Sequence, residues 1–199
     1  MKYQSMDWGR MESVVNKLGG LEGVDQFLKG EIVIRTKDGK PIWQVWKTIV
    51  IGTFENADKI SDSLYSNGID FKSVESVFKD LLRVYPKERE VCLVRVKLKD
   101  LGLDKLVSWT DLLETAQKLG LSICPPDVGP CLCLQYKDSE KGEVLTIGMY
   151  GLVDSTREDD YHVFSIWNGP KGLRLDSIDP LHELIFVDDS EFIFALGNL

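Results

Sequence analysis

Cysteines at positions 124, 131 and 133, with a histidine at 162, are the sharpest chemical candidate in the chain, because thiolates and an imidazole are the donors of a tetrahedral zinc site. If the later segment is a strand, Cys131 and Cys133 point to one side, and the stretch Pro125-Pro126-Asp127-Val128-Gly129-Pro130 swings Cys124 beside them. Structural zinc normally takes a pair of C-x₂₋₄-C knuckles. Neither occurs, so no metal and no cofactor is expected; the four cysteines, Cys92 included, read as free thiols, and Cys131 and Cys133 as small buried ones. The same residues suggest a nucleophile and a base, which needs a thiolate kept reactive by a neighbouring cation or a helix N-terminus. His162 shares its strand face with Phe164 and Ile166 and reads as a core or edge residue; His182, beside Glu183, reads as exposed.

Carboxylates gather at Asp154, Glu158, Asp159 and Asp160, and again at Asp188, Asp189 and Glu191. The glycine and terminal glutamate of an EF-hand loop are missing, so the first cluster reads as a solvated hairpin tip. A glycosidase-like pair is defined by a distance between carboxylates, which spacing in sequence does not supply. Trp43 and Trp46 lie three apart in a predicted strand and so face opposite sides. At most one enters the core, and the other is a partly exposed aromatic of the kind found on binding surfaces. The binding candidates are therefore Trp43, Trp46, Asp127, Gln135 and His162.

The elements that must position these residues follow from hydrophobic period. Met11, Val14, Val15 and Leu18, then Leu21, Val24, Phe27 and Leu28, predict a helical hairpin broken at Gly19-Gly20, a first region of residues 1–30. Residues 31–199 read as one further domain. In it Asp38-Gly39 and the run Ile42 to Ile51 predict a hairpin. Asn56 and Ser73 are expected to cap two helices and Ser108 a third, ending at Gly120. Cys92, Val94, Val96 and Leu98 alternate with Arg95 and Lys97, as in a half-buried strand. Strands are expected at Cys131 to Tyr136, Val144 to Leu152, His162 to Trp167, Leu173 to Ser177, Leu184 to Val187 and Phe192 to Leu196. Early helices and late strands give an α+β fold closing in an antiparallel meander, and Gly129 is expected to turn the chain into its first strand.

A hydrophobic fraction of 43% with 28% charged residues is ordinary globular composition. Residues 1–97 hold 16 basic and 14 acidic residues (+2), whereas 98–199 hold 8 and 18 (−10). The late half repels phosphate backbones, which disfavours nucleic acid there and favours a positively charged partner or simple solubility. No window has signal-peptide or membrane-span character, so a cytoplasmic chain without membrane contact is expected.

The segments NKLGGLEGVDQFLKGE, WKTIVIGTFENADK and LGLSICPPDVGPCLCLQYKDSEKGE resemble a family of uncharacterised cytoplasmic proteins from candidate-phylum bacteria of the Patescibacteria group. Cys124, Val128, Gly129, Pro130, Leu134, Gln135 and Tyr136 match the family's late segment, while Cys131 and Cys133 stand where glutamine and arginine are expected. The resemblance implies bacterial cytoplasmic origin and an α+β fold; it implies no activity. The expected function is a non-catalytic binding or interaction module for a protein or small molecule. The alternative is a small hydrolase or toxin-like effector using a carboxylate or a Cys/His site.

Overall fold

The computed structural model describes residues 7–29, 34–37, 39, 41–103, 107–153, 161–180 and 190–197. The expectations at Asp38, Asp154, Glu158, Asp159, Asp160, His182, Asp188 and Asp189, and the strand Leu184 to Val187, lie outside these residues. The chain divides into two compact units, Met1–Gln44 and Val45–Leu199. In the first, α1 (Trp8–Lys17) starts where the Asp7 carboxylate accepts the Arg10 N–H at 2.8 Å, and α2 (Leu21–Leu28) follows the Gly19-Gly20 break. A two-stranded antiparallel ribbon, β1 (Ile34–Arg35) with β2 (Pro41–Ile42), completes it.

The second unit begins with β3 (Lys47–Ile51), so the expected continuous strand from Ile42 to Ile51 is broken at residues 43–46. Then come α3 (Ala57–Ser66), a 3₁₀ turn (Lys72–Val74), α4 (Glu75–Asp80) and β4 (Arg89–Lys97). After a second 3₁₀ turn, α5 (Trp109–Lys118) and β5 (Leu121–Ser122) lead to α6 (Val128–Gln135). The remaining strands are β6 (Val144–Ile147), β7 (Leu152–Val153), β8 (Tyr161–Gly169), β9 (Gly172–Ile178) and β10 (Glu191–Leu196). Asn56 and Ser108 cap α3 and α5 as expected, each accepting a backbone N–H from three residues on. Ser73 does not cap a helix: its hydroxyl instead donates to the Asp176 carboxylate on β9.

These elements make an α+β fold around a mostly antiparallel sheet. Along it β3, β4, β10, β6 and β8 are neighbours in that order, with β9 pairing β8. The last strand therefore lies between two earlier ones, parallel to β6 and antiparallel to β4, and chain order is not sheet order. Both faces are covered. Ile49, Val91, Leu93, Ile193, Leu145 and Phe164 share one face by register, and Phe78 of α4 packs on Phe164 with ring centroids 5.7 Å apart. On the other face Trp109 of α5 meets Phe192 at 6.1 Å. β4 is thus a central strand buried on both sides, not the half-buried strand its alternation predicts, with Val91 and Leu93 buried on the side that carries Arg95.

The segment after Val128 is a helix where a strand is expected. Its prolines explain why helix is allowed: Pro125 and Pro126 precede it, and Pro130 stands in the first turn, where a missing N–H costs nothing. Gly129 consequently has no turning role. Its place is a packing requirement, since a Cβ there would lie 3.0 Å from the Phe164 Cβ. Cys131 and Cys133, two residues apart on a helix, project to opposite sides and cannot share one metal, as they would on a strand. Among the described residues no helix is long and apolar enough to cross a membrane.

Candidate functional site

β4 and β10 bring together charges that lie far apart in sequence. Arg95 sits opposite Ile193, so Glu191, two residues back on β10, is its diagonal neighbour on the same face. Glu143, just before β6, reaches the same guanidinium: Arg95 Nη1 donates to Glu143 Oε1 at 2.5 Å, and Nη2 donates to Glu191 Oε2. The Glu143 side chain is only 6% exposed. It also accepts from Ser139 Oγ at 2.9 Å, so its charge is fully engaged. Burial acts to lower the Arg95 pKa, but the two carboxylates outweigh it and hold the guanidinium above its ordinary value.

A pocket of about 380 Å³ opens beside this triad, bordered by Arg95, Lys141, Glu143, Val144, Thr146 and Glu191. Its size is that of a small-molecule site. Lys141 is fixed by Asn168 Oδ1 at 3.2 Å and the Gly169 carbonyl at 2.9 Å. Glu140 also borders the pocket, which sets three carboxylates against two cations.

Arg95 joins this pocket to an aromatic corner. Trp46 and Tyr136 meet edge to face, centroids 5.0 Å apart and planes at 86°. The Lys47 ammonium lies 5.5 Å from the Trp46 centroid and 4.8 Å from that of Tyr136, and donates to Asp138 Oδ1 at 2.8 Å. Asp138 is 76% exposed, so this ion pair is worth only about 0–1 kcal/mol. Cation–π attraction adds roughly 0.5–1 kcal/mol, while ordering a lysine side chain costs up to about 2 kcal/mol. Lys47, its side chain 19% exposed, is therefore held by several weak contacts and not by a buried ion pair. Its ammonium keeps Asp138 below the usual carboxylate range, whereas burial, and then the facing Glu143 carboxylate, push Tyr136 up.

The expected binding residues fall on several different elements. Trp46 is in the corner, while Trp43 belongs to the first unit and lies in no strand. Gln135, at the end of α6, clasps the edge strand: Nε2 donates to the Val50 carbonyl at 2.8 Å and Oε1 accepts the Val50 N–H at 3.0 Å. Its amide completes a sheet edge that would otherwise be unpaired. His162 is half-buried on β8, with Nδ1 3.2 Å from Ser177 Oγ. Cys124 donates its thiol to the Ile193 carbonyl at 3.5 Å. Burial pushes Cys124 and Cys133 up and Cys131 up to about 12, the wrong direction for a nucleophile. Among the described residues no three His, Cys, Asp or Glu side chains are grouped to hold a metal ion.

Asp127 is fully buried at the start of α6, with Oδ2 accepting the Tyr85 N–H at 2.9 Å and Oδ1 unpartnered. Arg89, stacked 3.7 Å over the Tyr85 ring, leaves Nε and Nη2 buried without a partner. Burial raises the Asp127 pKa despite the Tyr85 N–H and the Arg89 charge. A carboxyl raised on folding destabilises the folded state at pH above its folded pKa and contributes nothing below the unfolded value, about 3.9. Asp127→Asn keeps the acceptor for Tyr85 and removes the buried charge. Urea melts at pH 7 should thus show it more stable than the parent chain, the gain vanishing by about pH 3.5. A loss of stability at pH 7 would mean the Arg89 attraction dominates.

The sequence places Arg95 on a polar strand face and Glu191 in an acidic run, but nothing in it joins them. Glu143 and Lys47 carry no local signal at all. No family model, curated protein or solved structure matches the chain.

Proposed function

We propose that the protein is a cytoplasmic, non-catalytic binding module, and that the pocket beside Arg95, Glu143 and Glu191 receives a small polar ligand bearing positive charge. The observation that carries this reading is the pairing within the pocket wall. Arg95 is held by two carboxylates and Lys141 by two oxygens, so these cations of the wall are preorganised in ion pairs and hydrogen bonds, as in a binding site. Three carboxylates against two cations, in a half of the chain carrying −10, favour a cationic partner over a phosphate. Membership of the Patescibacteria-type family is proposed with it, on the matches from Cys124 to Tyr136.

Val144 borders the pocket and is 51% exposed, so Val144→Arg adds a like charge at the pocket margin without disturbing the core. A thermal-shift panel of polyamines, basic amino acids and their amides should give at least one saturable stabilisation in the parent chain that is lost in Val144→Arg. The two unliganded melting temperatures should agree within about 2 °C, as expected for a surface change. A panel with no hit, or a hit indifferent to Val144→Arg, would remove the pocket from consideration.

A further inference from the structure

We propose that the right-angled corner of Trp46 and Tyr136 is a binding site for organic ammonium groups, quaternary ones above all, and that Lys47 is its internal occupant. This goes beyond the pocket reading and does not depend on it. Two ring systems 5.0 Å apart at 86° let one cation lie near both, and the Lys47 ammonium does so. The Asp138 carboxylate supplies the counter-charge. What the corner takes is therefore displayed by what fills it: a positive nitrogen, two aromatic rings and one carboxylate, the elements of alkylammonium recognition.

The frame of the corner is fixed and the occupant is not. Tyr136 is 3% exposed and directly follows the helix that Gln135 clasps to β3. Trp46 is held by its backbone N–H on the Leu93 carbonyl at 2.8 Å and has a second cation, Arg95, 5.8 Å from its centroid. Arg95 cannot leave, being bound by Glu143 and Glu191. Lys47, whose side chain is 19% exposed, can be displaced because its ionic partner Asp138 stands in solvent and its own stem is a flexible four-carbon chain. A quaternary ammonium sheds less hydration than a primary one on entering an aromatic site, so it competes on favourable terms. Lys47 then acts as a weak plug that raises the dissociation constant of any incoming cation without closing the site.

The test is a ¹H–¹⁵N NMR titration of the full chain with tetramethylammonium chloride against sodium chloride at matched ionic strength. Saturable shifts are expected at the Trp46 indole N–H and at the amides of Lys47 and Tyr136, with a dissociation constant on the order of millimolar for so small a ligand. Lys47→Met, which removes the plug and keeps the apolar stem, should bind about tenfold tighter, and Trp46→Leu should not bind. Val144→Arg should titrate like the parent chain, so failure of the pocket and failure of the corner remain distinct. Shifts no larger than those from sodium chloride in both the parent chain and Lys47→Met would overturn the proposal, as would saturable binding retained in Trp46→Leu. If Trp46→Leu does not fold, the location of the shifts decides: a binding locus away from positions 46, 47 and 136 overturns it too.

Discussion

Arg95→Leu should cost the fold about 2–4 kcal/mol at pH 7, among the largest losses expected from any change in the second unit. The guanidinium is the shared partner of Glu143, 6% exposed, and Glu191, 18% exposed. Removing it leaves two neighbouring carboxylates with no cation between them in a largely desolvated setting. The lower end of that range applies because the Arg95 side chain is itself 28% exposed, so water can partly screen what remains. Arg95→Leu combined with Glu143→Gln and Glu191→Gln should recover most of the loss, because replacing all the charges removes the penalty that removing one creates. Urea melts of the single and triple variants measure both. A single variant within about 0.5 kcal/mol of the parent chain would show that the triad contributes nothing to stability.

That triad also marks how far the sequence carries. The helices α1, α2, α3 and α5 and the strand β4 are legible because each has one dominant periodicity and, for three of the helices, a capping side chain at its start. The helix at Val128–Gln135 is not. It is buried on nearly every side, from Val128 through Cys133, so it has no polar stripe to reveal a 3.6-residue period. Alternating Cys131-Leu132-Cys133-Leu134 then mimics a strand. The site escapes for a different reason. Glu143 is 48 residues from Arg95 and Glu191 is 96, and what joins them is the insertion of β10 between β4 and β6. Strand register creates the site, and a single sequence does not state register. Trp46 stands out in the sequence as an aromatic worth following, but through a strand alternation that the break at residues 43–46 removes.

Gly52→Ala should destabilise the protein by about 3 kcal/mol or more, and the reason is where β4 begins. Gly52 follows β3 at φ +74°, and a Cβ there would lie 2.1 Å from the Lys87 carbonyl oxygen and 2.5 Å from its carbon. Both obstacles are backbone, so no side chain can rotate away. Relief requires separating the ends of β3 and β4 at the Ile51–Arg89 pair, which starts the register that later delivers Arg95 to its carboxylates. Gly68 supplies the control: its φ is +71°, and nothing lies within 4 Å of a Cβ built on it. Gly68→Ala carries the backbone strain alone, about 1 kcal/mol for an alanine in the left-handed region. The difference between the two variants in urea midpoint therefore isolates the contact from the conformation, provided the slope of the transition is unchanged. Equal losses would mean that the β3 and β4 ends do not approach this closely. A Gly52→Ala loss larger by about 2 kcal/mol would place the contact among the interactions that set the register.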